Sequence, residues 1–159
     1  MSEPVATEAT VREAGGDDVA GVASAVEDLL RELGGRCPER SELEAEVRAL
    51  LDDPEGGSVL IAEADGRIVG VLSASWQRAI HVPGVYATIQ DLWVDEVWRS
   101  RGVGAELVEA IASQARSRGV SRLEVGLPRE TFAAIASTES FYRRNGFEPL
   151  GPRMRRLLP

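Results

Sequence analysis

The chain has 159 residues, of which 43% are hydrophobic and 28% charged, values typical of one globular domain with its own core. Its formal net charge of −8 argues against general nucleic-acid binding, which needs a basic surface, and slightly favours a cationic small molecule as a partner. A single cysteine, Cys37, excludes a disulfide within the chain, and with one histidine the sequence offers no cluster of metal ligands.

The start of the chain and its apolar stretches bear on location. Residues 1–8 contain neither the basic region nor the apolar run of a signal peptide, and we expect them to form a loose tail. No segment approaches the ~20 consecutive apolar residues of a membrane-spanning helix. We therefore expect a single domain over residues 1–159, located in the cytoplasm and making no contact with a membrane.

The first part of the chain is predicted to contain a short strand and two helices. Residues 9–14 favour a strand. The aspartates at 17–18 can cap a helix whose apolar stripe is ended by the glycines at 34–35. The second helix is predicted to start at Ser41, which with Glu44 matches a capping box.

Three strands are predicted to follow as an antiparallel meander. Residues 58–64 and 67–80 are joined by Asp65-Gly66, a pair that favours a tight hairpin turn. Residues 83–84, a proline and a glycine, are predicted to turn the chain again before a strand at 85–94.

The last part of the chain is predicted to add a parallel strand to this meander. The predicted elements are a helix from a glycine-rich turn to about residue 118, a strand at 121–127, a helix at 131–145 and closing strands at 147–151 and 153–158. A strand, a helix and a strand in this order make a parallel crossover. The expected fold class is therefore α/β, with a mixed, mainly antiparallel central sheet, one parallel βαβ crossover and flanking helices.

The glycine-rich turn carries the first chemical motif, Arg99-x-x-Gly102-x-Gly104. It follows a strand and precedes a helix, so several backbone N–H groups lack partners there and the helix dipole favours an anion. Arg99 and Arg101 add positive charge, and the turn is predicted to bind a phosphate or diphosphate. A dinucleotide fingerprint would need a third glycine where Leu107 stands, and no Gly-Lys-Ser/Thr of a Walker loop follows.

The stretch from Val94 through this motif to Leu107 resembles the acetyl-CoA signature of the GNAT superfamily of N-acetyltransferases, and the order of elements resembles that fold from about residue 10 to residue 158. The resemblance implies that acetyl-CoA is the co-substrate. It implies that the Val94 amide polarises the thioester carbonyl, as an oxyanion donor does. The residues implied to hold the cofactor are Leu92, Trp93 and Val94 along the pantetheine arm, and Arg99, Arg101, Gly102, Val103, Gly104 and Ala105 around the diphosphate.

A second motif, Phe141-Tyr142 followed by Gly146-Phe147, resembles the late tyrosine and Gly-Phe segment of the same superfamily. The resemblance implies that the Tyr142 phenol lies near the cofactor's sulfur. A phenol with a reference pKa near ~10 is protonated at neutral pH, so it can give a proton to the departing thiolate.

The general base is less defined. The attacking amine must lose a proton, and a carboxylate can accept it directly or through a water. The matching stretch of polyamine acetyltransferases has a glutamate where this chain has Gln90, which cannot act as a base. Asp91 is then the candidate, although strand alternation puts it on the opposite face from Gln90. A water relay, or an acceptor that arrives neutral, is the alternative.

The sequence therefore predicts an N-acetyltransferase that moves the acetyl group of acetyl-CoA to a primary amine by direct attack in a ternary complex, with no metal. Tyr142, Asp91 and the Val94 amide are the predicted catalytic groups, and Gln90 and His81 are predicted to contact the acceptor. The acceptor is a small molecule or a protein amine, and the resemblance also implies a homodimer. The alternatives are an acyl-CoA-binding or sensory module without turnover, and an acyltransferase for a longer acyl-CoA.

Overall fold

The structure, a computed structural model, describes residues 8–159, so the predicted tail at 1–8 lies outside the described residues except for Glu8. A five-stranded sheet has the strand order β1-β2-β3-β4-β5. The first four strands pair antiparallel, and β4 and β5 are parallel. The strands are β1 (Thr10–Glu13), β2 (Gly57–Ala64), β3 (Arg67–Ala79), β4 (Val82–Val94) and β5 (Leu123–Val125).

Helices cover both faces of this sheet. They are α1 (Val19–Leu33), α2 (Arg40–Asp52), α3 (Val103–Ser117) and α4 (Ile135–Arg144). One core cluster packs α1 and α2 against the sheet, with Val22, Val47 and Val71 at its centre. A second packs α3 on the opposite face around Leu72 and Leu107, both fully buried. The predicted mixed, mainly antiparallel sheet with one parallel crossover is therefore confirmed.

Two local predictions of the first half have different outcomes. The capping box of α2 joins Glu39 and Glu42, not Ser41 and Glu44, because Glu39 is the extended residue before the helix and Ser41 already lies within its first turn. The Glu39 amide donates to Glu42 Oε2 at 2.8 Å. The predicted hairpin at Asp65-Gly66 is confirmed, with both residues at positive φ.

The turn between β3 and β4 was predicted at residues 83–84 but lies at 80–81, where Ala79 pairs directly with Val82. Pro83 is the second residue of β4. A proline is tolerated at this position because the first residues of a strand need not donate hydrogen bonds to the sheet.

The predicted closing strands at 147–151 and 153–158 are also wrong, since the structure assigns no strand after Val125. Prolines at 149 and 152 remove N–H donors that a sheet would need. Strand β5 is shorter than predicted, and α4 begins four residues later than predicted because a turn occupies 131–134.

Candidate active site

The strands β4 and β5 separate part-way along their length. They pair at only three positions, Ala87 with Leu123, Thr88 with Glu124 and Ile89 with Val125. Strand β4 continues to Val94, whereas β5 ends at Val125. Among the described residues, the backbone of 90–94 therefore has no strand partner on the β5 side. A cavity of about 600 Å³ opens at this point, and the predicted residues Gln90, Leu92, Trp93 and Val94 line it.

A β-bulge at Gln90 sets which side chains face this cavity. Ser73 pairs with Asp91 and Ala74 with Ile89, so Gln90 is an extra residue without a partner on β3. Because Ser73 and Ala74 point to opposite faces, Asp91 and Ile89 do too, although they are two positions apart. The bulge thus places Ile89 in the α3 core and leaves Gln90 exposed at the cavity.

Asp91 does not line the cavity. Its carboxylate accepts a hydrogen bond of 2.5 Å from the hydroxyl of Ser73, which is only 5% exposed. Ser73 lies on the same sheet face as Val71, which belongs to the core under α1 and α2. The structure therefore does not bring this candidate base together with the other predicted residues.

The N-terminus of α3 forms one wall of the cavity. Gly102, the residue before the helix, has φ 85°, a left-handed conformation that glycine adopts most easily. The first helical hydrogen bond runs from Glu106 N–H to the Gly102 carbonyl. Among the described residues, no acceptor is found for the amides of Val103, Gly104 and Ala105. Free amides at a helix N-terminus favour an anion.

Gly104 has a packing role that the motif does not reveal. A Cβ added there would lie 3.1 Å from Cε2 and Cζ of Phe141, a ring of α4 that also lines the cavity. The glycine thus lets α4 approach α3 at the cavity wall.

We expect Gly104→Ala to lower the free energy of unfolding by about 1–3 kcal/mol, because the added methyl group overpacks against Phe141. Urea denaturation measures this. Gly35→Ala is the matched control, since nothing lies within 4 Å of a Cβ at Gly35. Equal stabilities of the two variants would contradict the close packing of Phe141.

The two arginines of the motif have different surroundings. Arg99 lines the cavity; its Nε donates to the Val94 carbonyl at 3.0 Å, and its guanidinium forms an ion pair with Glu32. Arg101 instead lies over the ring of Trp98, 5.0 Å from its centroid, and does not line the cavity. Arg99 is thus the nearer cation for an anion bound at the α3 N-terminus.

Tyr142 lies in the opposite wall, 8% exposed. Its ring packs edge-on between Phe141 and Phe147, with centroids 5.1 and 5.3 Å away. No described residue forms a hydrogen bond with its hydroxyl. Burial raises the pKa of Tyr142 to about 12, since the charged phenolate is poorly solvated there. The phenol is therefore protonated over the whole neutral range.

We expect this pKa to be visible in an alkaline titration of phenolate absorbance. The wild-type curve should include a late step near pH 12 from Tyr142, and Tyr142→Phe should remove that step. Stopped-flow pH jumps record the folded protein before it unfolds. A wild-type curve without this late step, or a Tyr142→Phe curve that keeps it, would contradict the raised pKa of Tyr142.

His81 is remote from this site. It is exposed in the turn between β3 and β4, outside the cavity lining. The cavity also contains residues that the sequence did not single out, above all Glu32 and Arg144. Glu32 lies on the same helix face as Leu29 and Leu33, which line the cavity with it. In the sequence, the only indication that Glu32 belongs to the site was its position beside the apolar stripe of α1.

The charges of the cavity differ from those of the whole chain. Its charged lining residues are two arginines, Arg99 and Arg144, and one carboxylate, Glu32, although the chain carries a net charge of −8. The cavity is thus suited to anionic groups near its two arginines and to a cation only near Glu32.

The chain matches a known protein family over most of its length. A model described as the acetyltransferase (GNAT) family matches residues 23–147. The chain belongs to the GNAT acetyltransferase family. The resemblance noted from Val94 to Leu107 is thereby confirmed, and the matched segment contains every residue that lines the cavity.

A curated relative is similar over most of its length. It is named IAA acetyltransferase, from Azospirillum brasilense, and is 29% identical over 133 residues, covering 82% of this chain and 83% of the relative.

Solved structures share the GNAT fold. An aminoglycoside N-acetyltransferase, AAC(6')-Iy, in complex with CoA matches with a TM-score of 0.79 at 16% identity, covering 99% of each chain. A protein described as a transcriptional regulator from Bacillus halodurans matches with a TM-score of 0.80 at 19% identity, covering 94% of this chain and 99% of its own. At these identities the likeness shows the fold.

Within residues 8–159, no helix combines the length and the apolarity that crossing a membrane would require.

Proposed function

We propose that the chain transfers the acetyl group of acetyl-CoA to a primary amine by direct attack in a ternary complex. The observation that carries the proposal is the juxtaposition, in one cavity, of the free β4 edge at 90–94 and the free amides at the start of α3. A strand edge and an anion site side by side suit a ligand with an extended amide chain and a diphosphate.

Coenzyme A has both parts, and these residues fit it. The pantetheine arm carries two amide groups, which can bond to the backbone of Leu92 to Val94 as an added peptide strand would. The diphosphate fits the amides of Gly102 to Ala105, with Arg99 and Arg101 as nearby cations. Membership of the GNAT acetyltransferase family supports the same assignment.

The proposed transfer uses two groups of this chain. The amine nitrogen bonds to the thioester carbon, and the negative charge that develops on the carbonyl oxygen is stabilised by the Val94 N–H. The attacking nitrogen then gives its extra proton to water, the carbon–sulfur bond breaks, and the Tyr142 hydroxyl gives its proton to the departing sulfur and is reprotonated from solvent. Because burial raises the pKa of Tyr142 to about 12, the phenol carries its proton at working pH.

The amine is proposed to lose its proton to water. Gln90 has no basic group, and Asp91 is engaged by Ser73 away from the cavity. The ammonium form of an alkyl amine therefore deprotonates in solution, or through water in the cavity, before it attacks. Asp91 acts, in this proposal, only through such a relay. The position of Gln90 at the bulge leaves it as a contact for the acceptor.

The acceptor is proposed to be a small molecule. The aminoglycoside N-acetyltransferase that shares the fold supports a small cationic amine as the acceptor class. The cavity volume of about 600 Å³ is within the usual range of small-molecule sites, roughly 300–1,000 Å³.

A second candidate is an acyl-CoA-binding or sensory module without turnover. The observation that favours it is the lack of a free carboxylate at the cavity, since Glu32 is already paired with Arg99. The fold neighbour described as a transcriptional regulator is consistent with such a role.

Thiol release from acetyl-CoA over a panel of amines separates the two candidates. Amine-dependent release, with an acetylated amine found by mass spectrometry, supports the transferase. The sequence contains no lysine, so acetylation of the protein's own lysine side chains cannot imitate this signal. Tight binding of CoA by calorimetry with no release on any amine would instead support the binding module.

A further inference from the structure

Glu32 is the one carboxylate among the residues that line the cavity. It lies in the last turn of α1, and its side chain is 43% exposed. The C-terminal end of a helix carries the negative pole of its dipole, which favours a cation beside the same residue. Leu29 and Leu33 flank it on the cavity side, so this corner combines an apolar wall with one negative charge.

Arg99 neutralises this charge in the structure. Its guanidinium forms an ion pair with Glu32, and its Nε donates to the carbonyl of Val94, the last residue of β4. The two residues are 67 positions apart in sequence. Arg99 therefore contacts both the carboxylate and the segment that precedes the anion-binding amides of α3.

We propose that Glu32 is a specificity-determining residue that binds a positive charge of the acceptor, and that a bound diphosphate makes it available by drawing Arg99 away. This inference rests on the proposed function. A diphosphate at the α3 N-terminus competes with Glu32 for the guanidinium, because two oxygens of a phosphate group can accept parallel hydrogen bonds from an arginine as a carboxylate does. The freed carboxylate then faces the part of the cavity left for the acceptor.

Two consequences follow for binding. An acceptor with a second ammonium group binds better than one of equal length without it, by about tenfold, as one charge-assisted hydrogen bond allows. The affinities of CoA and of such an acceptor are also coupled, and thermodynamic linkage makes this coupling equal in both directions.

The test compares wild type with Glu32→Gln, which keeps the size of the side chain and removes its charge. The acceptor probes are two pairs of equal length, diaminobutane with pentylamine and diaminopentane with hexylamine. In each pair, we expect the kcat/KM of wild type to be about tenfold higher for the diamine than for the monoamine. Glu32→Gln is expected to lose this preference. Asp28→Asn is the matched control, because Asp28 lies one turn earlier on α1, pairs with Arg31 and does not line the cavity.

Calorimetry with CoA and diaminobutane provides a readout without turnover. We expect CoA to raise the affinity for the diamine about fivefold or more in wild type and to have no such effect in Glu32→Gln, whose affinity for CoA is equal or higher. The proposal is overturned if wild type shows no preference in either pair, if Glu32→Gln keeps the preference, or if the coupling is absent in wild type. Absence of thiol release with every amine would count against the proposed transferase instead, since the calorimetric arm does not depend on it.

Discussion

Tyr142→Phe is expected to lower kcat for acetyl transfer by about 10²-fold or more, the range for loss of a general acid. The phenylalanine ring keeps the edge contacts with Phe141 and Phe147, so the variant should fold. Only the proton donor is lost, which slows cleavage of the carbon–sulfur bond. Thiol release under saturating substrates measures kcat, and calorimetry should give an unchanged affinity for CoA.

Tyr86→Phe is the control for this variant, because Tyr86 lies on β4 outside the cavity lining and its replacement removes a phenol elsewhere. Its kcat should equal that of wild type. A kcat of Tyr142→Phe within a few-fold of wild type would refute the acid role and leave Tyr142 as a buried aromatic of α4.

Leu107→Ala is expected to cost about 2–5 kcal/mol of the free energy of unfolding, a large part of the ~5–15 kcal/mol typical of a domain. Leu107 is fully buried in the core between α3 and the sheet, where Gly70 of β3 allows the close approach. Urea denaturation at constant m-value measures the loss.

Glu109→Ala is the surface control for the same helix, since Glu109 is 70% exposed and should change stability by less than ~0.5 kcal/mol. Leu107→Val is a milder change that tests the same contact if the alanine variant does not fold. A loss below ~1 kcal/mol in Leu107→Ala would contradict a tightly packed α3.

The elements that local chemistry defines could be predicted from the sequence. The apolar periodicity of α1 and α3 and the turn at Asp65-Gly66 each depend on neighbouring residues, and the structure confirms them. The closing strands could not be decided in this way, because their alternation is weak and a strand exists only where a partner accepts its hydrogen bonds. The prolines at 149 and 152 were the contrary signal.

The sequence predicted the parts of the candidate site that lie in short motifs. It did not predict the parts that depend on contacts between residues far apart in the chain. The glycine turn before α3 and Tyr142 both line the same cavity. The bulge at Gln90 depends on the register between β3 and β4, which strand alternation cannot reveal. The pairing of Glu32 with Arg99 joins residues 67 positions apart. His81 was selected for its position near the turn between β3 and β4, which lies outside the cavity lining.

The free edge of β4 also bears on how the protein avoids association with itself. An unpaired strand edge is a template on which another chain can extend the sheet, and proteins usually protect such edges with charges, prolines or a covering element. Here the free peptide groups at 90–94 lie inside a cavity walled by residues of α3 and α4, not on the outer rim of the sheet. A strand of a second molecule could reach them only by displacing those helices, whereas a slender ligand could enter. The enclosure that suits the cleft to a ligand therefore also shields this free stretch of β4 from pairing with a strand of a second molecule.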